Sequence, residues 1–126
     1  MPSLRRIEQV PEGRVIIEHA RWCNSFASKL RGFTLRRRLQ AGEGLVLVEK
    51  GESRVNTAIH MLFVFFALGV LWVDAQGQVV DKTLAKPWRL SYLPGAPAQY
   101  VVEGHPDILD WVQVGDQLRF VELAGD

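Results

Sequence analysis

Cysteine is almost absent from this chain of 126 residues, in which Cys23 stands alone. A single thiol excludes an intramolecular disulfide framework. No apolar run follows Arg5 and Arg6, so the sequence predicts no secretory signal, and we find no lipidation motif at either end. These absences favour a cytoplasmic location.

The chain also lacks an apolar run long enough to cross a bilayer as a helix, which requires about twenty residues. Its most apolar stretch, residues 61–73, has thirteen residues and contains Gly69. Aromatic and β-branched residues are frequent in it. This composition predicts two buried strands with a bend near residues 67–69 rather than a membrane helix.

A large net charge is missing as well, since the total is +1 at pH 7. The distribution is uneven, with nine basic and three acidic residues in 1–38, but six basic and eleven acidic residues in 39–126. Such asymmetry can steer an anionic partner, or it can be complemented within the fold, which is the interpretation that we favour. The densest basic cluster contains Lys29, Arg31, Arg36, Arg37 and Arg38. It lacks interleaved aromatics, so nucleic-acid binding through residues 36–38 is a weak alternative.

Short segments between glycines and prolines predict a β-rich fold. We expect strands over residues 14–18, 45–48, 79–84, 98–103 and 117–123. A hairpin turn is predicted at 74–77, a short helix at 25–31 between a cap at Asn24 and Gly32, and a helical turn within 106–112. Because long crossover helices are missing, the prediction is a single α+β, mainly β domain over 1–126, an antiparallel sheet curled into a partly open barrel or sandwich.

Four segments follow one another in a distinctive order: LRGFTLRRRLQAGEGLVLV, NTAIHMLFVFFALGVLWVDAQGQVV, KPWR and YVVEGHPDILDWVQVGDQLRF. In this order they resemble the DUF192 family of small bacterial and archaeal proteins of unknown function, over about residues 15–122. The motifs that carry the resemblance are Arg31-Gly32 with Arg36, Gly42-x-Gly44-Leu45, Ile59-His60, Trp72-Val73-Asp74, Pro87-Trp88 and Gly115-Asp116. The resemblance implies a compact β-rich domain and no particular reaction.

The central apolar stretch departs from the usual pattern of that family. Members that the chain resembles read Met-Arg-Phe-Pro-Ile-Asp where this chain has residues 64–69. The basic residue is replaced by Phe65, the proline by Ala67 and the acid by Gly69. If that acid were catalytic, this chain would lack the activity; if it were structural, packing of Phe65 could offset its loss.

Four residues are the predicted ligand-binding site: Arg31, Asn56, His60 and Trp88. We expect them to bound a cleft at the mouth of the barrel, with Arg31 as the charged anchor for a small anionic molecule or an acidic peptide. Partner-protein binding through the loop of Trp88, or a homodimer through the apolar face near Phe63 and Phe65, stays open.

Catalysis is the alternative to binding. His60 could act as an acid–base group, although a hydrogen-bonded histidine at a strand end is the plainer interpretation. Cys23, beside Trp22, is expected to be a buried thiol rather than a nucleophile. The histidines at 19, 60 and 105 lack metal-ligand spacing, so no metal and no cofactor is predicted.

Overall fold

The computed structural model describes residues 3–25, 28–29, 32–34, 36, 38–61, 64–89 and 91–123. Seven strands make up about half of this part of the chain. They are β1 (Leu4–Val10), β2 (Arg14–Cys23), β3 (Glu43–Ser53), β4 (Leu68–Val73), β5 (Val79–Ala85), β6 (Ala98–Gly104) and β7 (Gln117–Glu122). A short helix, α1 (Ile108–Trp111), lies between β6 and β7.

The strands form one curled sheet in the order β5-β4-β6-β3-β2-β1-β7. Its edge strands approach each other at one end, where the Val79 amide donates to Asp116 O at 2.9 Å and the Leu118 amide donates to Gly77 O at 2.8 Å. The sheet is therefore a half-barrel, closed at one end and open at the other, which confirms the predicted mainly β fold.

One pairing is parallel. β2 and β3 run in the same direction, with Arg21 beside Leu45 and Cys23 beside Leu47, whereas every other described ladder is antiparallel. A parallel pair requires the chain to cross from one end of the sheet to the other. The described residues between β2 and β3, here called the crossing segment, contact one face of the sheet.

Both faces of the sheet are buried. On one face, Ile7, Val46 and Val102 pack with Ile108 of α1. On the other face, Leu45, Met61, Val70, Trp72 and Val101 belong to a second cluster, together with Phe33 from the crossing segment. The central strands are therefore apolar at consecutive positions rather than at alternate ones.

Of the two strands predicted within residues 61–73, the second is present and the first is not found among the described residues. Among the described residues of this stretch, Leu68–Val73 alone is a strand, and β5 and β6 pair with its two sides. The backbone before it pairs with the proline-rich loop instead: the Trp88 amide donates to Met61 O at 2.8 Å, and Ile59 bridges Tyr92. Within the described ranges, we find no helix with the length and apolarity that crossing a membrane requires.

The local turns agree well with the sequence. Gly77 has a φ of 88° at the end of the hairpin turn, and Gly32 has a φ of 42° where a helix cap was predicted. Residues 26, 27, 30 and 31 of the predicted helix lie outside the described residues, while Ser28 is helical. The Ser25 hydroxyl, one residue after Asn24, accepts from the Ser28 amide at 3.1 Å and so caps this turn.

Candidate functional site

One face of the sheet carries three glutamates on its central strands. Side chains alternate along a strand, so Glu43 and Glu49 of β3 point to the same face as Leu45 between them. Glu103 of β6 lies beside Leu45, and Arg21 of β2 lies on the other side of Leu45. The guanidinium of Arg21 and the carboxyl of Glu103 are therefore on strands that flank β3. The Cα atoms of these two residues are about 10 Å apart, which is twice the spacing between neighbouring strands.

The segment that crosses from β2 to β3 is held on this face by two ion pairs. Arg36 Nη2 lies 2.8 Å from Glu43 Oε1, and Lys29 Nζ lies 2.9 Å from Glu49 Oε2. Lys29 also donates to Val48 O at 3.2 Å. Two of the three glutamates therefore have a basic partner from the crossing segment.

Phe33 fills the space between these pairs and is almost completely buried. Its ring lies edge-on to Phe66 and 5.3 Å from the guanidinium carbon of Arg21. The Arg21 guanidinium donates from Nη2 to Gly32 O at 2.9 Å, and its buried Nε has no partner among the described residues. Arg21 is thus directed at the crossing segment.

A cavity of about 310 Å³ lies between the sheet, the crossing segment and the loop that precedes β4. Leu47, Phe33 and Val64 supply apolar wall, and the buried Glu103 contributes to its floor. The exposed residues Asn56 and His60 stand at its mouth. The arrangement combines apolar walls with a few polar groups, as ligand sites in proteins do.

Glu103 is the most perturbed carboxyl of this cavity. The residue is 6% exposed, and its carboxyl accepts no hydrogen bond from any described side chain. Burial raises the pKa of Glu103 to about 7, because an ionised carboxylate loses its hydration there, and the charge of Arg21 opposes that rise only in part. A carboxyl of this kind is half-ionised near neutral pH.

The four residues predicted as a site are separated in part. The structure brings Asn56 and His60 to the same cavity. Arg31 lies outside the described residues, although its neighbour Gly32 lines the cavity. Trp88 is not among the described lining residues.

Trp88 packs on Phe65 instead, with ring centroids 5.7 Å apart. Both side chains are nearly half-exposed, and Trp88 has a φ of 67°, uncommon for a bulky residue. Tyr92 of the same loop packs on the second core cluster, and its hydroxyl accepts from the Lys86 amide at 2.8 Å. Phe65, one departure from the family pattern, thus contributes to a surface aromatic pair.

Gly69, the other departure, faces α1. A Cβ at this position would lie 2.8 Å from Ile108 Cγ1 and 2.9 Å from His105 O. Both distances are far below van der Waals contact. This fold therefore has no room for an acidic side chain at position 69 while Ile108 keeps its place.

Cys23 is buried, as expected for a structural thiol, and burial raises the pKa of the Cys23 thiol. A raised pKa suppresses the thiolate that a nucleophile would need.

In the basic cluster, Arg36 is paired with Glu43 and Arg38 is exposed, while Arg37 lies outside the described residues. The described part of this cluster presents one free surface arginine rather than a basic stripe.

Sequence reasoning did not place Glu103 at the cavity, and it gave no role to Arg21. A signal for Glu103 was present, because Val101 and Val102 are adjacent apolar residues, a pattern typical of a strand that is buried on both faces. The next residue of such a strand is buried too. Arg21 gave no signal, since its relation to Glu103 depends on the parallel pairing of β2 with β3.

Fold and cavity define a small β half-barrel protein whose buried carboxyl faces a cavity with a polar mouth. The chain belongs to the DUF192 family, described as "Uncharacterized ACR", whose model matches residues 8–120. A UPF0127 protein of Pyrococcus furiosus, PF1050, is 34% identical over 113 residues, which are 88% of this chain and 94% of that protein.

Two solved structures share the fold. One, from Sinorhizobium meliloti, is described as a candidate transcription regulator; it has a TM-score of 0.79, 17% identity, and coverage of 95% of this chain and 94% of that one. The other, a protein of unknown function from Novosphingobium aromaticivorans, has a TM-score of 0.73, 17% identity, and coverage of 94% and 84%. At this identity the similarity shows the fold alone.

Proposed function

We propose that this protein binds a small organic molecule in the cavity that Asn56, His60 and Glu103 line. The composition of the cavity supports this most directly: its walls are mainly apolar, and its few polar groups could orient a ligand. Its volume of about 310 Å³ falls at the lower end of the range for ligand sites. A compact ligand fits this space better than a polymer.

The experiment that tests this proposal is a thermal-shift screen of metabolites, metal salts and oligonucleotides. A ligand at tenfold excess over its Kd should add about 1.4 kcal/mol to the free energy of unfolding, which raises Tm by a few degrees. In Ala58→Trp, a large ring would enter the cavity from its half-buried wall position, and we expect the shift to disappear.

Ala75→Trp is the matched control, because Ala75 is exposed in the hairpin turn outside the cavity lining. Its ligand-induced shift should equal that of the wild type. A hit whose shift survives Ala58→Trp unchanged would place the ligand elsewhere and contradict the proposal.

An enzyme that uses His60 as an acid–base group is the second candidate. One observation favours it. The imidazole of His60 lines the same cavity as the carboxyl of Glu103, and the pKa of Glu103 is about 7. Incubating each screening hit with the protein and recovering it by mass spectrometry tests this candidate. If the wild type converts a hit to a product and His60→Ala does not, the result supports an enzyme. If every hit is recovered unchanged, the enzyme proposal is excluded.

Three sequence predictions stay predictions. Nucleic-acid binding through residues 36–38 should weaken steeply with added salt if it occurs. A homodimer would form through the apolar face near Phe63 and Phe65, and light scattering of Phe65→Asp against the wild type tests it, since Phe65 is exposed. The cytoplasmic location is tested by fractionating cells that produce the protein.

A further inference from the structure

Glu103 stands out in this structure because it is a buried carboxyl that lines a cavity and receives no hydrogen bond from any described side chain. Its strand neighbours Leu45 and Val70 are apolar and fully buried. A carboxyl in such a place is unfavourable unless a hydrogen-bond donor satisfies it. Glu103 lines the cavity, so a molecule bound there could supply such a donor.

The basic groups near Glu103 already have other partners. Lys29 of the crossing segment is paired with Glu49, which lines the same cavity. Arg21 donates to Gly32 O and stacks over Phe33, and Leu45 separates its strand position from that of Glu103. Neither cation is placed to neutralise Glu103 by direct contact among the described residues.

We propose that Glu103 receives a positively charged N–H group, such as a primary ammonium or an amidinium, from the molecule that occupies this cavity. This inference rests on the proposed function and specifies the chemical class of the ligand. A charge-assisted hydrogen bond to an ionised carboxylate is stronger than a neutral one, and burial strengthens it further. The apolar remainder of the ligand would contact Phe33, Leu47 and Val64.

A cationic ligand differs from the anionic one that the sequence suggested. The anionic prediction depended on Arg31 as the anchor. In the described lining, Glu103 has no donor and Lys29 is paired, so an anion would meet an additional acidic group rather than an available cation. The described residues contain no group of three candidate metal ligands.

The proposal predicts a specific dependence of ligand affinity on pH. Among the described residues, Lys29, Glu49 and His60 line the cavity with Glu103, and the charge of Arg21 on β2 also acts on Glu103. Because a cation binds the ionised form of Glu103, its affinity should fall about tenfold per pH unit below pH 7 and level off above it. Between pH 8 and pH 5 the loss is about 100-fold.

The test uses matched trios of fragments that share a phenyl, cyclohexyl or linear hexyl body and end in an ammonium, a hydroxyl or a carboxylate. Binding is measured by shifts of the backbone amide signals of the ¹⁵N-labelled full chain at pH 7.5. We expect the ammonium member to bind at least tenfold more tightly than the alcohol of its trio, with shifts at Asn56, Ala58 and Glu103.

Glu103→Gln should remove both the ammonium preference and its pH dependence while the alcohols still bind. Glu18→Gln, at an exposed position of β2, is the matched control and should keep both. A further measurement needs no variant. The ¹³C signal of the Glu103 carboxyl is followed by NMR as pH is varied, and a saturating ammonium fragment should lower the midpoint of this titration by at least one pH unit.

The outcomes separate the two proposals. Equal binding of alcohol and ammonium, or tighter binding of the carboxylate, would overturn the ammonium inference and leave a small-molecule site in place. Shifts that map away from the cavity for every fragment, or an absence of shifts across all trios, would contradict the proposed function as well.

Discussion

Glu103 and Glu8 are both buried glutamates, yet their surroundings perturb them in opposite directions. Glu8 of β1 pairs with Arg119 and with Arg6, and hydrogen bonds from these two side chains lower the pKa of Glu8. Among the described residues no side chain donates to Glu103, and burial raises the pKa of Glu103 to about 7. The hydrogen bonds from two arginines outweigh the effect of burial on Glu8, whereas burial dominates at Glu103.

Glu103→Gln should stabilise the unliganded protein at pH 8. The folded pKa of about 7 exceeds the unfolded value near 4.5, so the folded state holds more protons and stability falls as pH rises from about 4.5 to 7. The amide mimics the neutral acid, and we expect it to add up to about 3 kcal/mol at pH 8 and little at pH 4.5. Urea titrations at the two pH values measure this.

Glu8→Gln is the control with the opposite sign. A lowered folded pKa stabilises the protein above the unfolded pKa of about 4.5, and this stabilisation is lost as pH falls through the folded value. Glu8→Gln should therefore destabilise at pH 8 and approach the wild type in acid. Equal stability of Glu103→Gln and the wild type at pH 8 would mean that Glu103 has a donor in the folded protein.

At the scale of elements, local signals were predictable and long-range pairings were not. The turn at Gly77 and the strands β5, β6 and β7 followed from residue type and alternation within a few positions. β1 was missed because Arg5, Arg6 and Glu8 interrupt its apolar pattern. The parallel pairing of β2 with β3 gave no local signal, since it is fixed by how the crossing segment packs.

The packing of β4 against α1 provides a test at this scale. A Cβ at Gly69 would meet Ile108 at 2.8 Å and a backbone oxygen at 2.9 Å. Gly69→Ala should therefore force α1 away from the sheet and cost about 1–3 kcal/mol of unfolding free energy. Thermal or urea unfolding measures the change.

Gly51→Ala is the matched control, because a Cβ at Gly51 would meet nothing within 4 Å. Its stability should stay within about 0.5 kcal/mol of the wild type. If Gly69→Ala proved as stable as Gly51→Ala, the close approach of α1 to β4 would not exist in solution.

For the whole molecule, the half-barrel has a core on each face of one sheet. Two buried clusters, joined through the shared backbone of the central strands, enclose β3, β4 and β6. The crossing segment and the loop before β4 cover one face only in part, and the cavity lies in the gap between them. Asn56 and His60 could be predicted because they border the apolar stretch, whereas the floor at Glu103 depends on the sheet order.

The central claim is that this gap is where the protein holds a small molecule. The most direct test is a crystal structure of the full chain with the best hit of the thermal-shift screen. Our account predicts ligand density between Asn56, His60 and Glu103, with a donor nitrogen at hydrogen-bond distance from the Glu103 carboxylate. Density confined to another surface, with Glu103 satisfied by a protein side chain that fills the cavity, would contradict it.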